Sequence, residues 1–407
     1  MSGQVRRSVE SHPIEYWKKE ASLPADLVPT SANQFVEKEK YTFLVSGATG
    51  YLGGFTCKDM LMLLNDRIEK IYCLVRSYKS FDETKQMLCE AFKKTTSKPL
   101  TEEQLNKIYP VKGDISKERL GLSEQDYELL SKEVDIIFSI GANVNLSRTY
   151  QKSRLTNCFC IPQILKLATS NPNSLKRIIH ISTLAVFFDD RDLVENDNDL
   201  PLLEKLNGKN GYIQSKAISE LMLKEASTRG FEILLVRSPT LFACSETGYG
   251  NDLDTLLLCI RTGLIEGKMN DFSYVPSFRV SSVDWLSRVL VKMILDKNIW
   301  IDYFNVQNPS NSSSLTGYME LIAKEFSIPV IPNKDFLELI GKSSNPTSKL
   351  MSQIFTHFGY KLTKFNFPIT ENTVNYLKSI GEYEGLNVTR STIFKYIYKE
   401  FFNKSKL

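Results

Sequence analysis

Apolar and polar positions fall into blocks along this chain, and the block pattern changes past its middle. A short β-prone apolar run from Tyr41 to Val45 enters the turn Gly47, Ala48, Thr49, Gly50, Tyr51, Leu52, Gly53. Apolar residues then recur at helical spacing through Phe55, Met60, Leu61 and Leu64, and a second buried-strand run, Ile71 to Val75, ends at Arg76. This predicts a strand, turn, helix and strand in one unit. The alternation continues with a helix from about 82 to 94, a strand at 108–111, a helix near 125–132 and a strand at 134–138. A long helix over about 149–169, a strand at 177–182, a helix at 211–229 and a strand at 232–236 complete it. Strands alternating with helices predict an α/β fold, a Rossmann-type doubly wound parallel sheet with helices on both faces. The segments after Val45, Val75, Val111, Phe138, Ser182 and Val236 then converge at the carboxyl ends of the strands, where such sheets bind ligands.

Outside this region the pattern differs. Residues 1–40 are polar and interrupted by Pro13, Pro24 and Pro29, which predicts an N-terminal leader with one short helix around Tyr16 to Lys19, packed on the body or loosely ordered. Beyond Pro239 the alternation gives way to helical patterns with polar breaks at Asn308–Ser314 and Ser343–Ser348. The expected division is a leader (1–40), a nucleotide-binding domain (41–239) and a smaller, mainly α-helical substrate lobe (240–407).

Composition narrows the class. The 407 residues are 42% hydrophobic and 24% charged, ordinary for a soluble globular protein. The net charge of +4 comes from interspersed signs and leaves no footprint of nucleic-acid binding. No run of about 18 apolar residues predicts a membrane span, and the N-terminus lacks the apolar core of a signal peptide. Seven cysteines without a C-x-x-C read as buried free thiols in a reducing compartment. Neither they nor the three histidines form a metal-ligand pattern, and His180, inside an apolar strand, reads as a packed residue. Asn311-Ser312-Ser313 and Asn387-Val388-Thr389 match a glycosylation pattern that has no meaning without secretion. The final Ser405-Lys406-Leu407 matches a peroxisomal address, with an import receptor as the implied partner. The same tripeptide at Ser348–Leu350 is internal and carries no such meaning, and without the address the chain is expected in the cytoplasm.

The chemistry rests on a few residues. Glycines let a turn approach a pyrophosphate closely, and the following helix start offers unpaired N–H groups. Arg76 stands where an acidic residue would bind the ribose 2′-hydroxyl of NAD; its guanidinium suits a 2′-phosphate, which points to NADP(H). Tyr212 and Lys216 lie one helical turn apart, so the lysine cation is expected to lower the phenol pKa and let Tyr212 exchange a proton near neutral pH. Thr183, just past the strand ending at Ser182, is placed to hydrogen-bond a reacting oxygen.

With these motifs in view, the chain resembles the extended short-chain dehydrogenases. Within them it is similar to the thioester reductase domains that end nonribosomal peptide synthetases, aminoadipate reductases and carboxylic acid reductases. The marks are SGATGYLGG (46–54), IYCLVRS (71–77), VKGDIS (111–116), GANVN (141–145), HISTLAVF (180–187), GYIQSK (211–216) and LLVRSPTLF (234–242). The resemblance implies Thr183, Tyr212 and Lys216 as catalytic residues. It implies Gly47, Thr49, Gly50, Tyr51, Leu52 and Gly53 at the pyrophosphate, Arg76 at the 2′-phosphate, Asp114 and Ile115 beside the adenine, and Gly141 and Ala142 along the cofactor, with Asn157 supporting the site. Ser139-Ile140 replaces a frequent His-Asn, and Cys160 takes a glycine's place. A second family arginine is missing near Met87, where Lys79 or Lys85 would have to substitute.

The implied reaction is NADPH-dependent reduction of an acyl thioester to the aldehyde, or on to the alcohol. The substrate would be held on a phosphopantetheinyl carrier protein arriving in trans, because the leader is too short for a carrier domain, or would be an acyl-CoA. Three other readings stay open: a fatty acyl-CoA reductase forming an alcohol, a dehydrogenase of a nucleotide sugar or ketone, and a nonenzymatic NADP(H) sensor.

Overall fold

The computed structural model describes residues 10–30, 34–187, 194–252, 254–273, 280–300, 302–309, 315–358, 370–384 and 390–402. Ser405-Lys406-Leu407 and the Asn311 and Asn387 triplets lie outside the described residues.

Strand β1 (Tyr41–Ser46) is buried at all six positions, as a strand covered on both faces must be. It pairs in parallel with β2 (Ile68–Val75) on one side. The next strand along the chain, β3 (Ile108–Lys112), adds to the outside of β2, and β4 (Ile136–Ser139) takes the other side of β1. β5 (Arg177–Thr183) and β6 (Ile233–Ser238) extend that side in turn. Strand order therefore reverses direction between β1 and β4, and a crevice opens at their carboxyl ends. Four short strands follow outside this sheet: β7 (Thr240–Phe242) pairs with β9 (Val280–Ser282), and β8 (Met269–Asn270) with β11 (Val330–Ile331). β10 (Tyr303–Asn305), by contrast, returns to pair with β6 as the seventh strand of the main sheet.

Successive side chains of a strand point to opposite faces, and the two faces carry separate cores. Leu44, Ile137, Ile178 and Leu235 pack beneath the helices of one layer. Phe43, Val45, Phe138, Ile179 and Val236 pack beneath the other. Among the helices, α1 is Ile14–Glu20, α2 Tyr51–Leu63, α3 Phe81–Lys93, α4 Glu102–Asn106 and α5 Glu124–Glu133. The long helix expected over 149–169 is two, α6 (Tyr150–Asn157) and α7 (Cys160–Ala168). Pro162 has no N–H to continue the ladder, and the Phe159 N–H reaches back to the Arg154 carbonyl, 2.9 Å, a register one residue too long for an α-helix. The longest helix here, α8 (Gly211–Thr228), is capped by Asn210, whose side chain accepts from the Ile213 N–H at 3.0 Å.

The described part of the leader packs on the body. Trp17 of α1 is 1% exposed and donates from its indole to Asn207 Oδ1, 3.0 Å. Glu20 pairs with Arg154 and accepts from the Tyr150 hydroxyl, 2.6 Å, and Glu225 accepts from the Leu23 N–H. The arm thus lies across α6 and α8 together.

The helices beyond β6 form a third core around α9 (Thr255–Glu266). The division expected at 239/240 is not a spatial one, however. α10 (Val283–Ile294) packs on α2 with Trp285, Leu286 and Leu290 in the core under β1, and β10 completes the main sheet. Among the described residues no helix is long and apolar enough to cross a membrane. No group of three or more His, Cys, Asp or Glu among them is arranged for a metal ion.

Asp254 caps α9, accepting from the Leu256 and Leu257 N–H groups at 2.9 and 3.3 Å. Burial pushes its carboxyl up to about 6, and the two backbone donors recover only part of that. A folded-state pKa above the ordinary value means that stability from this group is complete below pH ~4 and is lost as pH rises through about 6. Asp254→Asn keeps the accepting oxygen without the charge. It is expected to stabilise the protein by about 1 kcal/mol above pH ~7 and to be neutral below pH ~4, as urea titration at the two pH values would read.

Candidate active site

The glycine turn is shaped by contact with the next strand end. Gly47 has φ +80°, and a Cβ there would sit 2.7 Å from the Gly141 nitrogen; one on Gly53 would sit 2.0 Å from the Gly47 carbonyl oxygen. Only backbone fits at either point. The Gly141 N–H in turn donates to the Ser46 carbonyl, 3.1 Å, which stitches the loop after β4 to the end of β1. The cradle is therefore a groove of bare backbone at the start of α2, the environment a pyrophosphate requires. Thr49 and Gly50 are exposed at its lip, and Leu52 is half-buried against the core. Tyr51 is different: its side chain turns away from the groove, and its hydroxyl meets the carbonyls of Phe242 and Tyr249, both at 3.0 Å.

Around the β2 end, Arg76 is exposed and has no hydrogen bond or ion pair among the described residues. Its field reaches Asp114. Burial would raise that carboxyl, but hydrogen bonds from Ser116 and the Arg76 and Lys117 charges outweigh it and hold the pKa below the ordinary value. Ile115 packs its side chain against Gly141. Ala142 is half-buried beside it. Lys85 lies over the rings of Phe81 and Tyr109, at 5.9 and 5.8 Å, while Lys79 is exposed. The residues present thus fit a dinucleotide with a 2′-phosphate: a backbone groove, then a free guanidinium beyond the second strand.

Across the crevice, α8 brings Tyr212 to Thr183. The Thr183 oxygen accepts from the Ala185 N–H, 3.2 Å, and its hydroxyl lies close enough to the Tyr212 phenol to favour its ionised form. Gly211 allows this placement, since a Cβ there would lie 2.2 Å from the Thr149 carbonyl carbon at the start of α6. Asn157 supports the same corner. Its amide oxygen accepts from the Asn143 N–H, 2.8 Å, and its nitrogen donates to the Asn143 carbonyl and to Ser215.

Electrostatics here depart from the expected lysine–phenol pairing. Burial pushes the Tyr212 phenol up to about 12; the neighbouring Thr183 hydroxyl lowers it and the Glu220 charge raises it. Lys216, 2% exposed, donates to the Ile181 carbonyl at 2.7 Å and lies 3.2 Å from His180 Nε2. Its ammonium points at the β5 backbone, so it does not pull the phenol down, while burial lowers its own pKa. Tyr212 therefore stands as a protonated phenol, a proton donor.

Behind this corner lies a network that motif reading misses. Glu220, one turn past Lys216, accepts from Ser182 and pairs with Arg237 at 2.8 Å, with both side chains fully buried. Arg237 also donates to the Asp197 and Asp199 carbonyls and to Asn305 of β10. Asp197 takes the Thr373 N–H, 3.0 Å, at the start of α14 (Glu371–Ser379), which follows α11 (Leu315–Phe326), α12 (Asn333–Lys342) and α13 (Pro346–Phe358). The signal was present: a single charge, Arg237, inside an otherwise apolar strand run.

Comparison with known proteins gives the chain a family and a fold. The family profile described as "Male sterility protein", an NAD-binding family, matches residues 45–290. The probable polyketide synthase 3 of Dictyostelium discoideum is 31% identical over 409 aligned residues, covering 93% of this chain but only 14% of that protein. This chain thus corresponds to a small part of that synthase. The terminal R domain from the myxalamid PKS-NRPS biosynthetic pathway superposes with a TM-score of 0.85 at 24% identity, covering 97% of this chain and 98% of that one. The reductase domain of a nonribosomal peptide synthetase from Mycobacterium tuberculosis gives 0.73 at 18% identity, covering 94% and 97%. At these identities the two structures show a shared fold.

Proposed function

The chain belongs to the NAD-binding male sterility protein family, an extended short-chain dehydrogenase family of oxidoreductases, and on that premise we propose that it reduces an acyl thioester to an aldehyde with NADPH. The observation that carries the reading is the Tyr212 phenol, held protonated at the crevice edge beside the Thr183 hydroxyl. One structural relative, a thiolation-reductase di-domain from an archaeal non-ribosomal peptide synthetase, supports a carrier-bound thioester as the substrate.

The nicotinamide supplies hydride when bound. Every other part falls to the chain. The Gly47–Gly53 groove and the start of α2 hold the pyrophosphate, and Arg76 takes the 2′-phosphate. Thr183 and Tyr212 receive the substrate carbonyl oxygen, and Tyr212 gives its proton to that oxygen as negative charge develops. Lys216 holds the nicotinamide ribose with its remaining N–H. The thiohemiacetal so formed breaks its C–S bond, and aldehyde and free thiol leave. NADPH consumption with an acyl phosphopantetheinyl carrier, followed by product identification, tests the reading; binding of NADPH with no turnover of any thioester or aldehyde would favour a sensor.

The cofactor assignment has its own test. Arg76→Ala is expected to raise KM for NADPH about 10- to 100-fold while leaving KM for NADH nearly unchanged, the loss of charge-assisted bonds to one phosphate. Equal losses with both cofactors would assign Arg76 to something other than the 2′-phosphate.

A further inference from the structure

Lys216 carries three N–H donors, and the structure commits two of them before any ligand arrives. One goes to the Ile181 carbonyl at 2.7 Å and one to His180 Nε2 at 3.2 Å. His180 is itself held from the other side, with Nδ1 at 3.1 Å from Ser139 Oγ. An ammonium can only donate, so Nε2 accepts and the proton sits on Nδ1, donated to Ser139. The sheet enforces this, because Ser139 and His180 are direct cross-strand partners of β4 and β5. His180 and Ser139 are each 1% exposed, so neither touches substrate in the open crevice.

We propose that His180, oriented by Ser139, is the positioning residue that aims the third N–H of Lys216 at the cofactor ribose and keeps the lysine charged. This rests on the reductase reading for its consequence in rate, but not for its consequence in cofactor binding. The other titratable groups around Lys216 are Cys158 and Cys160 at the α6–α7 junction and Glu220 and Tyr212 on its own helix. Both thiols are held protonated by burial, Cys160 pushed up to about 12, so they do not titrate in the working range. His180 stays neutral: burial, then the neighbouring Lys216, drive its pKa well below the ordinary value. It therefore serves Lys216 as a fixed acceptor across that range.

The test measures kcat/KM for NADPH-dependent reduction and, separately, NADPH affinity by nucleotide fluorescence, each across pH. His180→Phe removes the acceptor from a buried ammonium. The alkaline limb of both profiles is expected to move to lower pH, and kcat/KM to fall about 10- to 100-fold, the scale of a misaimed catalytic group. His180→Gln offers an amide oxygen to Lys216 and an amide N–H to Ser139, and is expected to restore the limb and most of the rate. Ser139→Ala, a small change that the sheet tolerates, is expected to move the limb in the same direction by less. Unmoved limbs in Ser139→Ala and His180→Phe, or a His180→Gln variant as impaired as His180→Phe at equal thermal stability, would overturn the proposal. If the native protein binds NADPH but reduces nothing, the reductase reading fails, while the affinity profiles still decide the role of His180.

Discussion

Tyr212→Phe is expected to lower kcat for thioester reduction by about a thousandfold and to leave NADPH affinity within a factor of ~3. The variant keeps the ring and loses only the proton donor, and Thr183 remains to hold the substrate oxygen. The pH profile of the native protein provides a check on the same assignment. With the phenol pushed up to about 12, Tyr212 stays protonated through the neutral and moderately alkaline range, so no limb below that value belongs to it. Lys216, whose pKa burial lowers, is the group expected to set the alkaline limb if it holds the cofactor as proposed. Retention of full kcat by Tyr212→Phe, with stopped-flow traces of NADPH oxidation unchanged, would falsify the general-acid role.

The largest stability effect is expected at Arg237. Its guanidinium is fully buried, lies 4.6 Å over the Phe187 ring, and finds partners on α8, on the segment around Asp197 and on β10. Arg237→Leu leaves Glu220 buried without a counter-charge, at a cost of about 3–5 kcal/mol. The double variant Glu220→Leu/Arg237→Leu removes both charges and is expected to lose less than the single one. Denaturant unfolding of the native protein, the two single variants Arg237→Leu and Glu220→Leu and the double variant decides it: a double variant as damaged as the sum of the singles would mean that the two residues act independently.

Local features of this fold were legible from the chain alone. The apolar strand runs and the Gly47–Gly53 turn are dictated by neighbouring residues, and they appear where periodicity put them. Long-range features were not. Tyr212 and Lys216 do share a helix face, yet spacing cannot show that the ammonium turns to the Ile181 carbonyl and His180. β10 has three residues, too few for a period to emerge. The break between α6 and α7 has its own local signal in Pro162, which lacks the N–H that a continuous helix needs. Asp197, Glu220, Arg237 and Thr373 are scattered over the chain, and only the folded sheet reveals that they meet.

The return of α10 and β10 to the first domain sets a limit on exchanging the C-terminal region between relatives. A lobe transplanted by a single join at Pro239 would carry away the helix that packs on α2 and the strand that shields the β6 edge. The recipient's α2, β6 and Arg237 would then have to pack on the donor's counterparts of α10, β10 and Asn305, to which they are not matched. Working chimeras therefore need at least two joins on either side of residues 283–305, so that the donor supplies the flanking pieces and the host keeps the stretch between them.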